Sequence, residues 1–362
     1  MRIHVFNPDH DMALEANKDH FTSPHAGRCL RHDLGYLPAL WADEGDLVLV
    51  DDVAVAHEGF RHLGLPLRGR FVDVAELSRC MRSLSCQGVS VWGWDRSVRH
   101  FLASAGVPDR LLPDNAFLNV VRLLSHRGWA AQHVLPVLSA LPGMVGEVFR
   151  AESVDDVKLM LRQRGNIVVK APWSSSGRGV RYLSYNVESH HPLTPQLEKW
   201  IERVLIRQGC MTVEPYYNKV LDFGMEFISD GVGHVSYRGL SLFNTRHGAY
   251  TGNVVDTEAR KSAWLSRYVP CAQQNAIRQT AADCLSDVLG HLYRGPLGID
   301  MMVVRQLDSL AVHPCVEMNL RRTMGHVALA LPADDRLPRR LMRMDFAGKY
   351  RLSVMPWPDV QD

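Results

Sequence analysis

Apolar and polar residues repeat with two different periods along this chain, and the change between them marks out its parts. Up to about residue 112, short apolar runs at 3–6, 47–50 and 89–92 alternate with stretches of helical spacing at 34–42, 74–84 and 97–105. That rhythm predicts a parallel α/β sheet. Further on, a two-residue period takes over. Residues 220–228 place Leu221, Phe223, Met225 and Phe227 on one face of a strand and Asp222, Gly224 and Glu226 on the other. A long helix is predicted over 272–293, and 331–362, with its prolines and mixed charge, reads as a closing helix and tail.

The most informative polar positions interrupt apolar strands. Asp300 stands inside the run 297–304, and Glu317 and Asn319 alternate with Val316, Met318 and Leu320. Two adjacent strands joined by a short turn bring these three oxygen-bearing side chains to one side of a buried sheet. A hard divalent cation such as Mg²⁺ takes ligands of this kind and leaves its other positions to water and phosphate.

Upstream, 166–170 reads as a buried strand ending in Lys170, followed by the hydroxyl- and glycine-rich loop 171–179. Glycine lets backbone N–H groups approach phosphate oxygens, serine hydroxyls add donors, and the lysine supplies a compact positive charge. Between this loop and the acidic strands, 211–216 forms a short strand carrying Glu214. A strand of this kind can offer its backbone to an adenine edge, and a carboxylate such as Asp222 can hold a ribose diol.

In this order the residues resemble the ATP-grasp superfamily, over roughly residues 113–330. The most specific part is Asp300 with the run Glu317-Met-Asn-Leu-Arg321. The resemblance implies an α/β fold in which a parallel α/β domain (1–112) precedes a two-lobed ATP-grasp domain, with a lid lobe at 113–210, a larger lobe at 211–345 and a tail at 346–362. It implies that Lys170 contacts the α/β phosphates of ATP, that Ser174, Ser175, Ser176 and Gly177 close over them, and that Glu214 sits at the adenine hinge. Asp222 then holds the ribose, and Asp300, Glu317 and Asn319 bind Mg²⁺, with Mn²⁺ as an alternative. The implied reaction joins a small-molecule or peptide carboxylate to an amine through an acylphosphate. Phosphorylation of a hydroxyl, or nucleotide binding without turnover, are the alternatives.

The chain departs from the family pattern at two positions. The stretch 114–128 lacks the family's earlier lysine, for which Arg122 is the nearest substitute. Gly298 stands where dipeptide-forming ligases carry an arginine, so the cation that steadies the phosphoryl group is sought among Arg238, Arg246, Arg321 and Arg322. The pieces Val-Val-Lys170 and Asp222-Phe-Gly224 imitate protein kinases, but no His-Arg-Asp loop lies between them and no Walker-type Gly-Lys-Ser/Thr loop occurs anywhere.

Bulk properties narrow the class further. The 362 residues, 46% hydrophobic and 22% charged, fit an ordinary globular chain, and a formal net charge of +2 argues against a nucleic-acid partner. The 7 cysteines form no Cys-x-x-Cys pair, which suits reduced thiols in a cytoplasmic protein without zinc. No apolar run is long enough for a membrane helix, and the oligomeric state is left open. Two polar stretches are candidates for the acceptor substrate. One holds Asn7, Asp9, His10 and Asp11 behind the first strand, where open α/β sheets bind ligands. The other, 241–253, contains Arg246 and Asn253.

Overall fold

The computed structural model describes residues 1–83, 85–174, 177, 179–185, 193–246 and 249–357, with only the backbone of Ser83, Arg246 and Ala249. Four parallel strands come first: β1 (Arg2–Val5), β2 (Leu47–Leu49), β3 (Arg70–Val72) and β4 (Gly88–Val91), in the order β3-β2-β1-β4. The direction of winding reverses between β1 and β4. Their carboxyl ends therefore frame a crevice of the kind that binds ligands in open α/β sheets. The expected helix at 34–42 lies earlier, at His25–Leu34, and a 3-10 turn at Leu37–Leu40 follows it. Pro38 sits at the start of that turn, where a missing N–H is tolerated; in a helix interior it would break a hydrogen bond.

The second unit is a four-stranded antiparallel sheet of β5 (Phe149–Ala151), β6 (Asn166–Lys170), β7 (Val180–Ser184) and β8 (Met211–Pro215), in the order β5-β8-β6-β7. Ile167, Val169, Met211 and Val213 bury one face against Val157, Leu161 and Ile201 of the two covering helices. Strand alternation puts Lys170 and Glu214 on the other face.

The third is a seven-stranded sheet of β9 (Lys219–Asp230), β10 (Val235–Arg246), β11 (Ala249–Val255), β12 (Arg294–Gln306), β13 (Ser309–Asn319), β14 (Arg340–Phe346) and β15 (Tyr350–Pro356). Its order is β13-β12-β9-β10-β11-β14-β15, with every pairing antiparallel. Phe223, Met225 and Phe227 of β9 share a core with Ile277, Ala281 and Leu285 of the helix Cys271–Leu289. Asp222, Gly224 and Glu226 consequently face away from that core. The segment read as a closing helix and tail is instead the β14–β15 hairpin through Pro356. Leu341 and Met342 pair with Val254 and Asn253 of β11, and Met342 and Leu352 share a core with Phe6, Leu34 and Tyr36 of the first domain. Burying these apolar residues against two neighbours outweighs the helical propensity of the segment. Among the described residues no helix is long and apolar enough to cross a membrane.

Candidate nucleotide and metal site

The register of β12 does what the spacing of acids in the sequence anticipates. Asp300 lies opposite Glu317 on β13 and opposite Gly224 on β9, and Gly298 lies opposite Asn319 and Glu226. Asn319 Nδ2 donates to Asp300 Oδ2 at 3.2 Å. Burial, with the nearby Glu317 and Glu226 carboxylates, pushes Asp300 well above the ordinary carboxylate range. Gathering acids in a dry place is costly until a cation offsets them. Among the described residues no group of three or more His, Cys, Asp or Glu forms a metal cluster, and here the third ligand type is an amide.

The smaller sheet faces this trio. Lys170 Nζ donates to Glu214 at 2.7 Å and to Val316 O at 3.3 Å, so it spans the two sheets one residue before Glu317. Both side chains of this pair are buried. His313, on the same side of β13 as Glu317, is fully buried with neither ring nitrogen partnered. Burial first, and then the charge of Lys170, push its pKa down to about 3. Asp222 is held at 2.5 Å by both Lys219 Nζ and Thr245 Oγ1.

Arg127 was not singled out by the sequence reasoning, and it ties the loop to Glu317. Its Nη1 donates to Ala171 O at 2.6 Å and to Ser174 Oγ at 2.7 Å, and its Nη2 donates to Glu317 Oε1 at 2.7 Å. It occupies the first turn of the helix Arg127–His133. Arg122, the expected substitute for a missing lysine, is engaged elsewhere: its Nε donates to Leu14 O at 2.7 Å and its guanidinium lies 3.9 Å from the Trp173 ring centroid. The only sequence signal for Arg127 was its charge in the stretch 114–128 that lacks the family's earlier lysine. Gly177 adopts φ +71°, and a Cβ at Gly179 would lie 2.4 Å from Ser174, so both glycines are needed for the loop to fold back. Ser175 and Ser176 lie outside the described residues, as does the side chain of Arg246.

Gly298 has a physical explanation. A Cβ there would fall 2.3 Å from Glu226 Oε2, and one at Gly325 would fall 1.9 Å from Glu226 Oε1. Glu226 is only 2% exposed and is held by Thr323 Oγ1 at 2.8 Å, with His326 Nδ1 at 3.0 Å. An arginine at 298 has no room beside it.

At the first domain, Arg321 forms a two-pronged pair with Asp11, at 2.8 Å from Nη2 and 3.1 Å from Nε. Burial opposes charge on Asp11, but the guanidinium outweighs it and holds the carboxyl below its ordinary value. Asn7 donates to Gly93 O at 2.8 Å and to Asp95 at 3.0 Å, and His10 Nδ1 lies 3.1 Å from the same carboxylate. Asp95 escaped the sequence reasoning, although it also caps the helix Arg96–Ser104. Of the remaining candidates, Arg238 is exposed on β10. Asn253 is buried and saturated, donating to Ser241 Oγ at 2.8 Å and accepting from Tyr250 Oη at 2.6 Å.

Comparison with solved structures shows the fold. The chain matches N5-carboxyaminoimidazole synthetase from Staphylococcus aureus, solved with ADP, at a TM-score of 0.51 and 11% identity, over 95% of this chain and 82% of that one. It matches biotin carboxylase from Campylobacter jejuni, solved with an ATP analogue, at 0.52 and 14%, over 95% and 75%. It also matches a protein from Archaeoglobus fulgidus provisionally assigned to the ATP-grasp superfamily, at 0.50 and 10%, over 99% of both chains. The chain has the ATP-grasp fold, as its residue pattern anticipated. No family model and no curated protein sequence matches it.

Proposed function

We propose that this protein is an ATP-dependent ligase that joins a carboxylate to an amine. The observation that carries this reading is the convergence of Asp300, Glu317 and Asn319 on one sheet with Lys170 and Arg127 reaching them from the facing side. In this reading Lys170 and Arg127 receive the phosphates, Ser174 and Gly177 close over them, Glu214 borders the adenine and Asp222 holds the ribose. The acid–amide trio fits a hard cation: two carboxylates, one kept from easy ionisation by its neighbours, gain from a divalent charge that no side chain here supplies. Mg²⁺ bound there neutralises charge on the phosphates.

The chain's own groups do the rest. The pairs Lys170–Glu214 and Arg127–Glu317 keep the cations aimed into the cleft until nucleotide arrives, and the folded-back loop excludes water that would hydrolyse an activated carboxylate. The substrate carboxylate oxygen attacks the γ-phosphorus and ADP leaves. The amine then attacks the acyl carbon of the mixed anhydride and expels phosphate. Arg321, steadied by Asp11, is the cation placed to meet that charge.

A screen of amino acids, small peptides and polyamines for amine-dependent phosphate release with Mg·ATP, with mass spectrometry of the product, tests this. A condensed product accompanied by ADP is expected. A phosphorylated product formed without any amine would replace the ligase reading with a small-molecule kinase.

A further inference from the structure

Next to Arg321 stands an arginine with no acid partner among the described residues. The backbone N–H of Arg322 donates to Trp92 O at 2.8 Å, beyond the end of β4, and its guanidinium lies 4.3 Å from the Trp41 ring centroid. This places it at the seam between the parallel sheet and the large antiparallel one. Arg321 is neutralised by Asp11, but among the described residues neither Arg322 nor Arg238 forms an ion pair. Burial pushes Arg322 down to about 10, and the like charge of Arg238 adds to the shift. Arg322 Nε and Trp41 Nε1 are both buried donors with no acceptor.

Arg322 Nε and Trp41 Nε1 are thus donors without an acceptor, and the exposed Arg238 adds a second positive charge felt by Arg322. A buried donor left unpaired is costly, and two like charges with no acid between them repel. An anion shared among them removes both penalties. A guanidinium held over an indole loses freedom in advance and suits two-pronged contact with a carboxylate or a phosphate, which present the same fork of oxygens.

We propose that Arg322, Arg238 and Trp41 form the anchoring site for a non-reacting anionic group of the substrate, either a carboxylate or a phosphate monoester. The chemical class that follows is a substrate bearing at least two acidic groups: one is activated near Arg321 and the other is held at the domain seam. The assignment to a substrate rests on the ligase reading above, whereas the anion site itself does not.

Calorimetric titration of the whole chain with inorganic phosphate and with succinate tests it. The nucleotide positions are first filled with Mg²⁺ and β,γ-imido-ATP. At least one probe is expected to bind, and which one binds separates a phosphate group from a carboxylate. Arg322→Gln and Arg238→Gln should each weaken that binding about tenfold, and Trp41→Phe, which keeps the ring and removes the donor, about threefold. Nucleotide affinity should stay within about twofold of the wild type in all three. Because Arg238 is exposed, its variant decides the matter if Arg322→Gln does not fold. Binding of neither probe, or unchanged binding in a folded arginine variant, overturns the proposal. Failure of the imido-ATP to bind would instead count against the nucleotide reading, leaving the comparison of phosphate and succinate between wild type and variants intact.

Discussion

The two ends of the cleft handle charge differently. On the side proposed for the nucleotide three cations lie against acids of the chain: Lys170 on Glu214, Arg127 on Glu317 and Lys219 on Asp222. At the domain seam, Arg321 has Asp11, while among the described residues neither Arg322, which lies over the Trp41 indole, nor Arg238 forms an ion pair. Groups of the first kind must exchange partners when a ligand enters, whereas groups of the second kind only gain one. The first arrangement avoids a buried lone charge at the cost of some affinity, and in the second Arg322 Nε and Trp41 Nε1 are donors already desolvated.

Removing the proposed cation ligands breaks this comparison most severely. Asp300→Asn and Glu317→Gln should each lower ATP turnover at least about a thousandfold while leaving the melting temperature near that of the wild type. Coupled measurement of ADP release alongside thermal unfolding checks both halves, and turnover within tenfold of the wild type would sink the metal assignment. The Arg127–Glu317 exchange is tested next. Arg127→Met should weaken nucleotide binding about tenfold or more, whereas Arg122→Met should lower stability and leave that affinity unchanged, because Arg122 serves Leu14 and Trp173. Equal losses of affinity in the two variants would remove Arg127 from the site.

A smaller effect concerns the glycine beside the metal acid. Gly298→Ala should destabilise the fold by about 2 kcal/mol, because Glu226 is confined by Thr323 and His326 and cannot retreat. Chemical denaturation should show that cost shrinking in a Glu226→Ala background, and simple additivity would mean that the contact is not responsible.

The smallest effect is on acid stability. His313 stays neutral in the folded chain because its pKa is depressed to about 3, while the unfolded chain takes up the proton near the ordinary histidine value of 6.5. Between these values the unfolded state binds more protons, so stability is full above about 6.5 and declines as pH falls toward 3. His313→Leu should flatten that decline when denaturation midpoints at neutral and mildly acidic pH are compared. His126, depressed to about 4 by burial and nearby arginines, keeps part of the slope.

The strand pattern and the meeting of Asp300, Glu317 and Asn319 were readable along the chain because both follow from local rules. Alternation in β9 and β13 assigns Glu317 and Asn319 to one face whatever surrounds them, and a tight turn between apolar runs brings Asp300 alongside. Lys170 was readable for the same reason, as a strand-end cation before a loop rich in small residues. Arg127, Glu226 and Asp95 were not, because their roles depend on partners far away in sequence. Nothing near Gly298 announces that a glutamate of β9 fills its space. Residues 331–357 show the same limit: their weakly patterned segment becomes a hairpin only because β11 and the first domain offer it a surface. The sequence by itself determined which faces are apolar and which groups could hold a cation and a polyphosphate, since those properties belong to each residue and its immediate neighbours. Which charge meets which, and which is left without a counterpart at the domain seam, only the tertiary structure decided, since those contacts exist only once distant segments pack together.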